Sequence, residues 1–175
     1  MESVTRPLAE VKVPNKTKYC PTLTAGHIDP LVFYNWGVAC RRFAKHSEKK
    51  PGEIVSFVAT AMLEPWLVAW YYSDFERIDK LSLDEYLEEL AKLVLPRNWA
   101  TKIRNEILSS TQGAKCFMDW KMELESLNAI LYVTSRPHAL DITTLKAHLE
   151  ANINAELKPA IENEGFLCTG SESNE

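Results

Sequence analysis

From Leu95 to Leu131 apolar residues recur at three- and four-residue steps on either side of a single glycine. Trp99, Ile103 and Ile107 mark one face of a helix that Asn98 is placed to cap, and Gly113 ends that run. Phe117, Trp120, Leu124, Leu127 and Leu131 then give a second helix a broad apolar stripe, and two helices joined this closely must pack on each other. The same period runs through the rest of the chain. Asp29-Pro30 is a cap followed by proline in the first helical turn, and Phe33, Trp36, Gly37, Cys40, Phe43 and Ala44 share a face of a helix ending near His46. Pro51-Gly52 makes a turn before a short helix buried through Ile54, Val55, Val58, Ala59 and Met62. Pro65 opens another, with Trp66 and Trp70 four residues apart and Leu67, Tyr71 and Phe75 nearby. Ser82 to Glu85 is a capping box ahead of Leu83, Tyr86, Leu87, Leu90 and Val94.

Leu95-Pro96 stops that helix and marks the expected boundary between two lobes. Ser135-Arg136-Pro137 reads as a loop. Asp141 caps a helix to Asn152 with Ile142, Leu145 and Leu149 inward, and a last short helix is expected from Asn154 through Leu157 and Ile161. The expected fold is all-α, about eight helices in two small lobes over residues 27–96 and 97–163. An extended arm, residues 1–26, carries Pro7, Pro14 and Pro21, and residues 164–175 form a disordered tail.

Composition narrows the chemistry. The 175 residues are 46% hydrophobic and 25% charged, which suits a globular chain able to bury a core. A formal charge of -4 argues against a dedicated nucleic-acid binder. None of the six glycines stands in a phosphate-cradling setting. No G-x-S-x-G, H-E-x-x-H or D-[ST]-G is present, so no catalytic residue, cofactor site or small-molecule substrate is expected. Cys20, Cys40, Cys116 and Cys168 form no C-x-x-C pair and read as reduced thiols of a cytoplasmic protein. Cys20, His27, Cys40 and His46 have gaps that match no zinc finger or knuckle, so no metal is expected. No apolar run reaches the ~20 residues that span a bilayer.

The order proline, polar residue, tryptophan, isoleucine helix, Gln112-Gly113, Phe117, Asp119-Trp120 and a leucine-rich run resembles the Gag capsid region of gypsy-class long-terminal-repeat retrotransposons. Gln112, Gly113, Phe117, Asp119 and Trp120 also resemble the start of the retroviral major homology region, a glutamine-glycine turn leading into a helix. Cys116 stands where that region has a glutamate, and the spacing to the aromatic is one residue short. Trp36, Trp66, Trp70 and the segment LSLDEYLEELAKLVLP are similar to the capsid amino-terminal lobe, so the resemblance covers roughly residues 27–162.

The resemblance implies a non-enzymatic protein that self-assembles into hexamer- and pentamer-based shells around retrotransposon RNA. The helix from Asp141 is, by its order, similar to the one that pairs two capsid carboxy-terminal lobes. Its face opposite the expected core carries Thr143, Ala147 and Ala151 with Glu150 and Lys146 alongside, a strip whose small side chains permit close approach; helix propensity alone also explains the alanines. Arg41, Arg42, Lys45, Lys49 and Lys50 are the densest positive charge and read either as an RNA or pore contact or as a solvated helix end, the short run broken by Glu48 favouring the second. The alternative function is a host-adopted capsid domain, an oligomerisation adaptor or one that binds peptides at Trp66 and Trp70; buried core is the commoner fate of such aromatics.

Overall fold

Asp29 accepts a 2.8 Å hydrogen bond from the Val32 amide, and Pro30 occupies the first helical turn where no donor is needed, so α1 (Pro30–His46) begins where the sequence places it. The structure, a computed structural model, describes residues 6–154. The described residues are mostly helical, with eight α-helices, and the chain divides into two compact units, Met1–Arg97 and Asn98–Glu175.

The first unit contains α1, α2 (Ile54–Thr60), α3 (Pro65–Ser73), α4 (Phe75–Ile78) and α5 (Leu83–Val94). Ser82 and Glu85 close the expected capping box, each side chain meeting the other's backbone N–H. Phe33, Trp36, Met62, Leu67, Ile78, Tyr86 and Leu90 are fully buried, and each such side chain contributes roughly 1.5–3 kcal/mol by leaving water. The single helix expected from Pro65 is broken at Asp74. Arg77 of α4 makes a bidentate pair with Glu89 of α5 at 2.8 and 3.0 Å, which anchors the extra turn.

Residues 7–27 are not the unpacked arm expected from their prolines. Two short antiparallel strands, β1 (Val11–Lys12) and β2 (Thr22–Leu23), form a strap, and Leu23 exchanges backbone bonds with Ala61 and Leu63 at 3.1 and 2.9 Å. Ala9 and Leu23 are buried. The prolines fall outside the strands, so they cost no ladder bond. Gly26, at φ 146°, lies where a Cβ would sit 2.6 Å from the Pro7 carbonyl oxygen. Behind it Glu64, only 2% exposed, accepts from the Gly26 amide at 2.8 Å and from Arg6 at 2.7 Å. Burial pushes the Glu64 carboxyl up, but these donors outweigh it and hold the group below its ordinary value.

The second unit contains α6 (Trp99–Ser109), α7 (Phe117–Thr134) and α8 (Ile142–Asn152), with a 3₁₀ turn over Arg136–His138 where a loop is expected. Asn98 is the residue before α6, but its side chain makes no cap bond. Ala100, Ile103, Ile107, Trp120, Leu124, Ile130 and Leu131 form the core, while Trp99 and Leu127 are half-buried. Asn154 follows α8 in non-helical backbone; the rest of the expected last helix and the tail lie outside the described residues. Cys116 is disulfide-bonded, which corrects the expectation of a reduced thiol there; Cys20 and Cys40 are free.

Candidate functional site

The Gln112-Gly113 turn is the polar centre of the second unit. Gly113 sits at φ 57°, which lets the chain reverse between α6 and α7 without a Cβ penalty. Gln112 is buried and fully used: its backbone amide donates to the Asn152 carbonyl at 3.3 Å, its Nε2 donates to the Lys115 carbonyl at 3.0 Å, and its Oε1 accepts from the Asn154 amide at 3.0 Å. Asn154 Nδ2 adds a bond to the Gly113 carbonyl at 2.8 Å. The turn therefore does two tasks, leading into α7 and holding the end of α8. Cys116 stands just before α7 without a side-chain cap bond, and it is Gln112 that secures the turn's Lys115 carbonyl.

Trp120 anchors the first turn of α7. It is fully buried, donates its indole N–H to Ser110 Oγ at 2.8 Å and meets Phe117 edge-to-face at 6.2 Å between ring centres. Asp119 is exposed in that same first turn, where a carboxylate suits the positive end of the helix dipole. His148 of α8 approaches the Trp120 ring at 6.5 Å and pairs with the Ser110 carbonyl at 3.1 Å.

At its other end α8 hangs from Asn128. The Asn128 amide group donates to the Leu140 carbonyl at 2.9 Å and accepts from the Leu140 amide at 2.7 Å, a two-point clip that sinks Leu140 into the core. Asp141 then caps α8 by accepting from the Thr144 hydroxyl at 2.7 Å and the Thr144 amide at 2.8 Å, and these donors hold its carboxyl below the usual aspartate range. Because Leu140 takes the buried place, Ile142 does not point inward as expected: it is 87% exposed. Between the two ties α7 and α8 leave an open groove of about 660 Å³. Tyr132 and Val133 of α7 and Ile142, Leu145, Leu149 and Ile153 of the α8 segment line it, with Lys121, Glu125, Lys146 and Glu150 among its charged residues.

The other expected sites are placed as follows. Thr143, Ala147, Glu150 and Ala151 are all exposed on α8, so the strip of small residues is accessible. Trp66 is 43% exposed, but Trp70 is half-buried and stacks on Tyr86 at 6.4 Å, so the pair is divided between surface and core. The basic residues are not gathered into one patch. Arg41 pairs with Asp84 at 3.0 Å, Arg42 lines a small groove beside β1, and Lys49 lies over the Phe57 ring at 4.4 Å; Lys45 and Lys50 are exposed. Burial pushes the Cys20 thiol up to about 11 and Cys40 well above its ordinary value. Among the described residues no cluster of three or more His, Cys, Asp or Glu side chains could hold a metal, and no helix is long and apolar enough to cross a membrane.

Asn128 and His148 carry much of the geometry of this region and had no role in the sequence reading, while Asn154, expected to open a last helix, instead ties its backbone amide to Gln112. No periodic signal marks them, since each acts through a backbone group distant in the chain. Comparison with models of known families, with curated proteins and with solved structures finds no match to this chain.

Proposed function

We propose that this chain is a structural Gag capsid-like protein that associates with itself into hexamer- and pentamer-based shells enclosing retrotransposon RNA. The observation that carries the reading is the Gln112-Gly113 turn. It stands at the place in the order of elements where the resemblance puts a glutamine-glycine turn, and its buried glutamine ties the following helix pair together. Two separately compact helical units support the same reading. RNA contact falls to the exposed Arg42, Lys45, Lys49 and Lys50, or to another Gag segment, because Arg41 is already paired with Asp84.

Light scattering and negative-stain microscopy across salt and protein concentration test this. Large symmetric particles at high salt are expected, since salt screens the net negative charge. A strictly monomeric protein under every condition would rule the shell out. The second reading, an adaptor that binds a partner peptide, is favoured by the exposure of both Trp66 and Leu63. It predicts a small species of fixed size whose Trp66 fluorescence changes on peptide addition.

A further inference from the structure

Cys116 is disulfide-bonded, while Cys20 and Cys40 are free. The chain has four cysteines, so within one molecule the sulfur left to pair with Cys116 is that of Cys168. Such a bond fixes where the segment after α8 must return. Its start is fixed already: Asn154 is held at the α6–α7 turn through Gln112 and Gly113, at 3.0 and 2.8 Å, and Cys116 stands three residues beyond that glycine. Ile153, just before Asn154, and Phe117, just after Cys116, both line the groove between α7 and α8. The two ends of the segment are therefore tied one residue away from the same groove.

We propose that residues 155–167 are the occupant of this groove, clasped there by a Cys116–Cys168 disulfide, so that the groove is covered in the oxidised chain and opened by reduction. Leu145, Leu149 and Ile153 line one side of the groove and Tyr132 and Val133 the other, and a contiguous apolar patch of this kind marks a surface that something covers. The segment brings the matching chemistry: Leu157 and Ile161 four residues apart, and Phe166-Leu167 directly before Cys168. Its length fits as well. From Ile142 to Ile153 the groove runs roughly 16 Å at the helical rise, and the fourteen residues from Asn154 to Cys168 reach about 46 Å when extended, enough to run out along it and return. Pro159 and Gly165 suit the bends that a return path needs.

The bond forms by exchange with a low-molecular-weight disulfide such as oxidised glutathione. The Cys168 thiolate attacks one of its sulfurs and expels a glutathione thiolate, and the Cys116 thiolate then attacks the Cys168 sulfur of the mixed disulfide and expels the second. The protein's two sulfurs are oxidised, glutathione's two are reduced, and the two cysteine protons end on the two glutathione thiols. Two equivalents of a thiol run the same steps backwards. The clasp closes or fails whether or not the chain builds shells.

The full chain, equilibrated with oxidised glutathione, digested and mapped by mass spectrometry, is expected to yield a Cys116–Cys168 linked peptide with Cys20 and Cys40 as free thiols. Cover of the groove is read by the fluorescence of anilinonaphthalene sulfonate, an apolar dye, with far-UV circular dichroism on each sample. Dithiothreitol is expected to raise the bound-dye signal about twofold or more with helicity kept. Cys168→Ser should show the raised signal without reductant, and Leu157→Asp with Ile161→Asp should show it while the bond stays intact. Ile142→Asp added to Cys168→Ser should lower the signal again, because Ile142 lines the groove and is exposed. A linked peptide joining any other pair, or Cys116 recovered as a free thiol or capped by glutathione, would overturn the clasp. A dye signal unchanged by dithiothreitol, or raised only together with loss of helicity, would overturn the cover. Dye binding that falls as the protein is concentrated, alike in the oxidised and reduced chain, would give the groove to a second copy and overturn the cover too.

Discussion

The side chain of Gln112 accepts a hydrogen bond from the backbone amide of Asn154, forty-two residues later in the chain, while its other end secures Lys115 three residues away. One buried amide thus joins the α6–α7 turn to the end of α8. Gln112→Ala would remove the partners of the Asn154 amide and the Lys115 carbonyl, both in part-buried bonds, and each lost bond costs about 0.5–1.5 kcal/mol. The second unit should lose about 2 kcal/mol in urea unfolding. Gly113→Ala should cost less, about 1 kcal/mol, because nothing lies within 4 Å of the added Cβ and only the positive φ is penalised. Equal losses from the two variants would mean that the turn's conformation, not the glutamine's bonds, sets stability.

Asn128 offers a second check on how α8 is held. Asn128→Asp keeps the acceptor for the Leu140 amide but replaces the donor to the Leu140 carbonyl with a second oxygen. Loss of about 2 kcal/mol is expected, with faster amide exchange at Leu140 and in the first turn of α8. Unchanged exchange there would show that the clip is not what positions the helix.

Trp120 and Trp99 should differ. Trp120→Ala empties a fully buried site and leaves Ser110 without its indole donor, for a cost of ~3–5 kcal/mol, enough to unfold a small unit. Trp99 is half-buried, so Trp99→Ala should cost clearly less. A thermal midpoint unmoved by Trp120→Ala would contradict this core.

In the first unit, Glu64 makes the strap sensitive to acid. Its carboxyl is held below the ordinary glutamate value of 4.5, so the unfolded chain binds the proton more readily than the folded one. The stabilisation is therefore complete above the unfolded value and is lost as pH falls through the lowered folded value. Glu64→Gln should flatten that acid-side loss and lower stability at neutral pH by about 1–2 kcal/mol, since a charged acceptor for Arg6 and Gly26 is replaced by a neutral one. Urea unfolding from pH 7 down to pH 3 reads both effects, and parallel profiles for the two proteins would exclude Glu64 as the acid-sensitive group.

Gly26 and Gly113 share a positive φ but not a local environment. A Cβ at Gly26 would meet the Pro7 carbonyl at 2.6 Å, so Gly26→Ala must displace the strap as well as strain the backbone. It is expected to destabilise more than Gly113→Ala, and hydrogen exchange at Leu23 and Leu63 should rise in that variant alone.

The sequence by itself determined the helices whose signals are local. Asp29-Pro30, the Ser82–Glu85 box and the Asp141 cap act within one turn, and the spacing of Ile103 and Ile107 or Trp120 and Leu124 fixes which face is buried before any partner is known. The all-α class follows from those same short-range rules. Tertiary structure decided what depends on distant chain segments. Residues 7–27 become a strap only because Leu23 finds Ala61 and Leu63 for its backbone groups. Asp74 interrupts the helix from Pro65 where Arg77 can reach Glu89. Ile142, apolar and in phase with Leu145, is turned into water because Asn128 buries Leu140 first. On α8 the helical phase sets the angle between side chains, but which of them reach the core is settled by the hydrogen bonds that hold its ends, and these come from residues up to forty-two positions away.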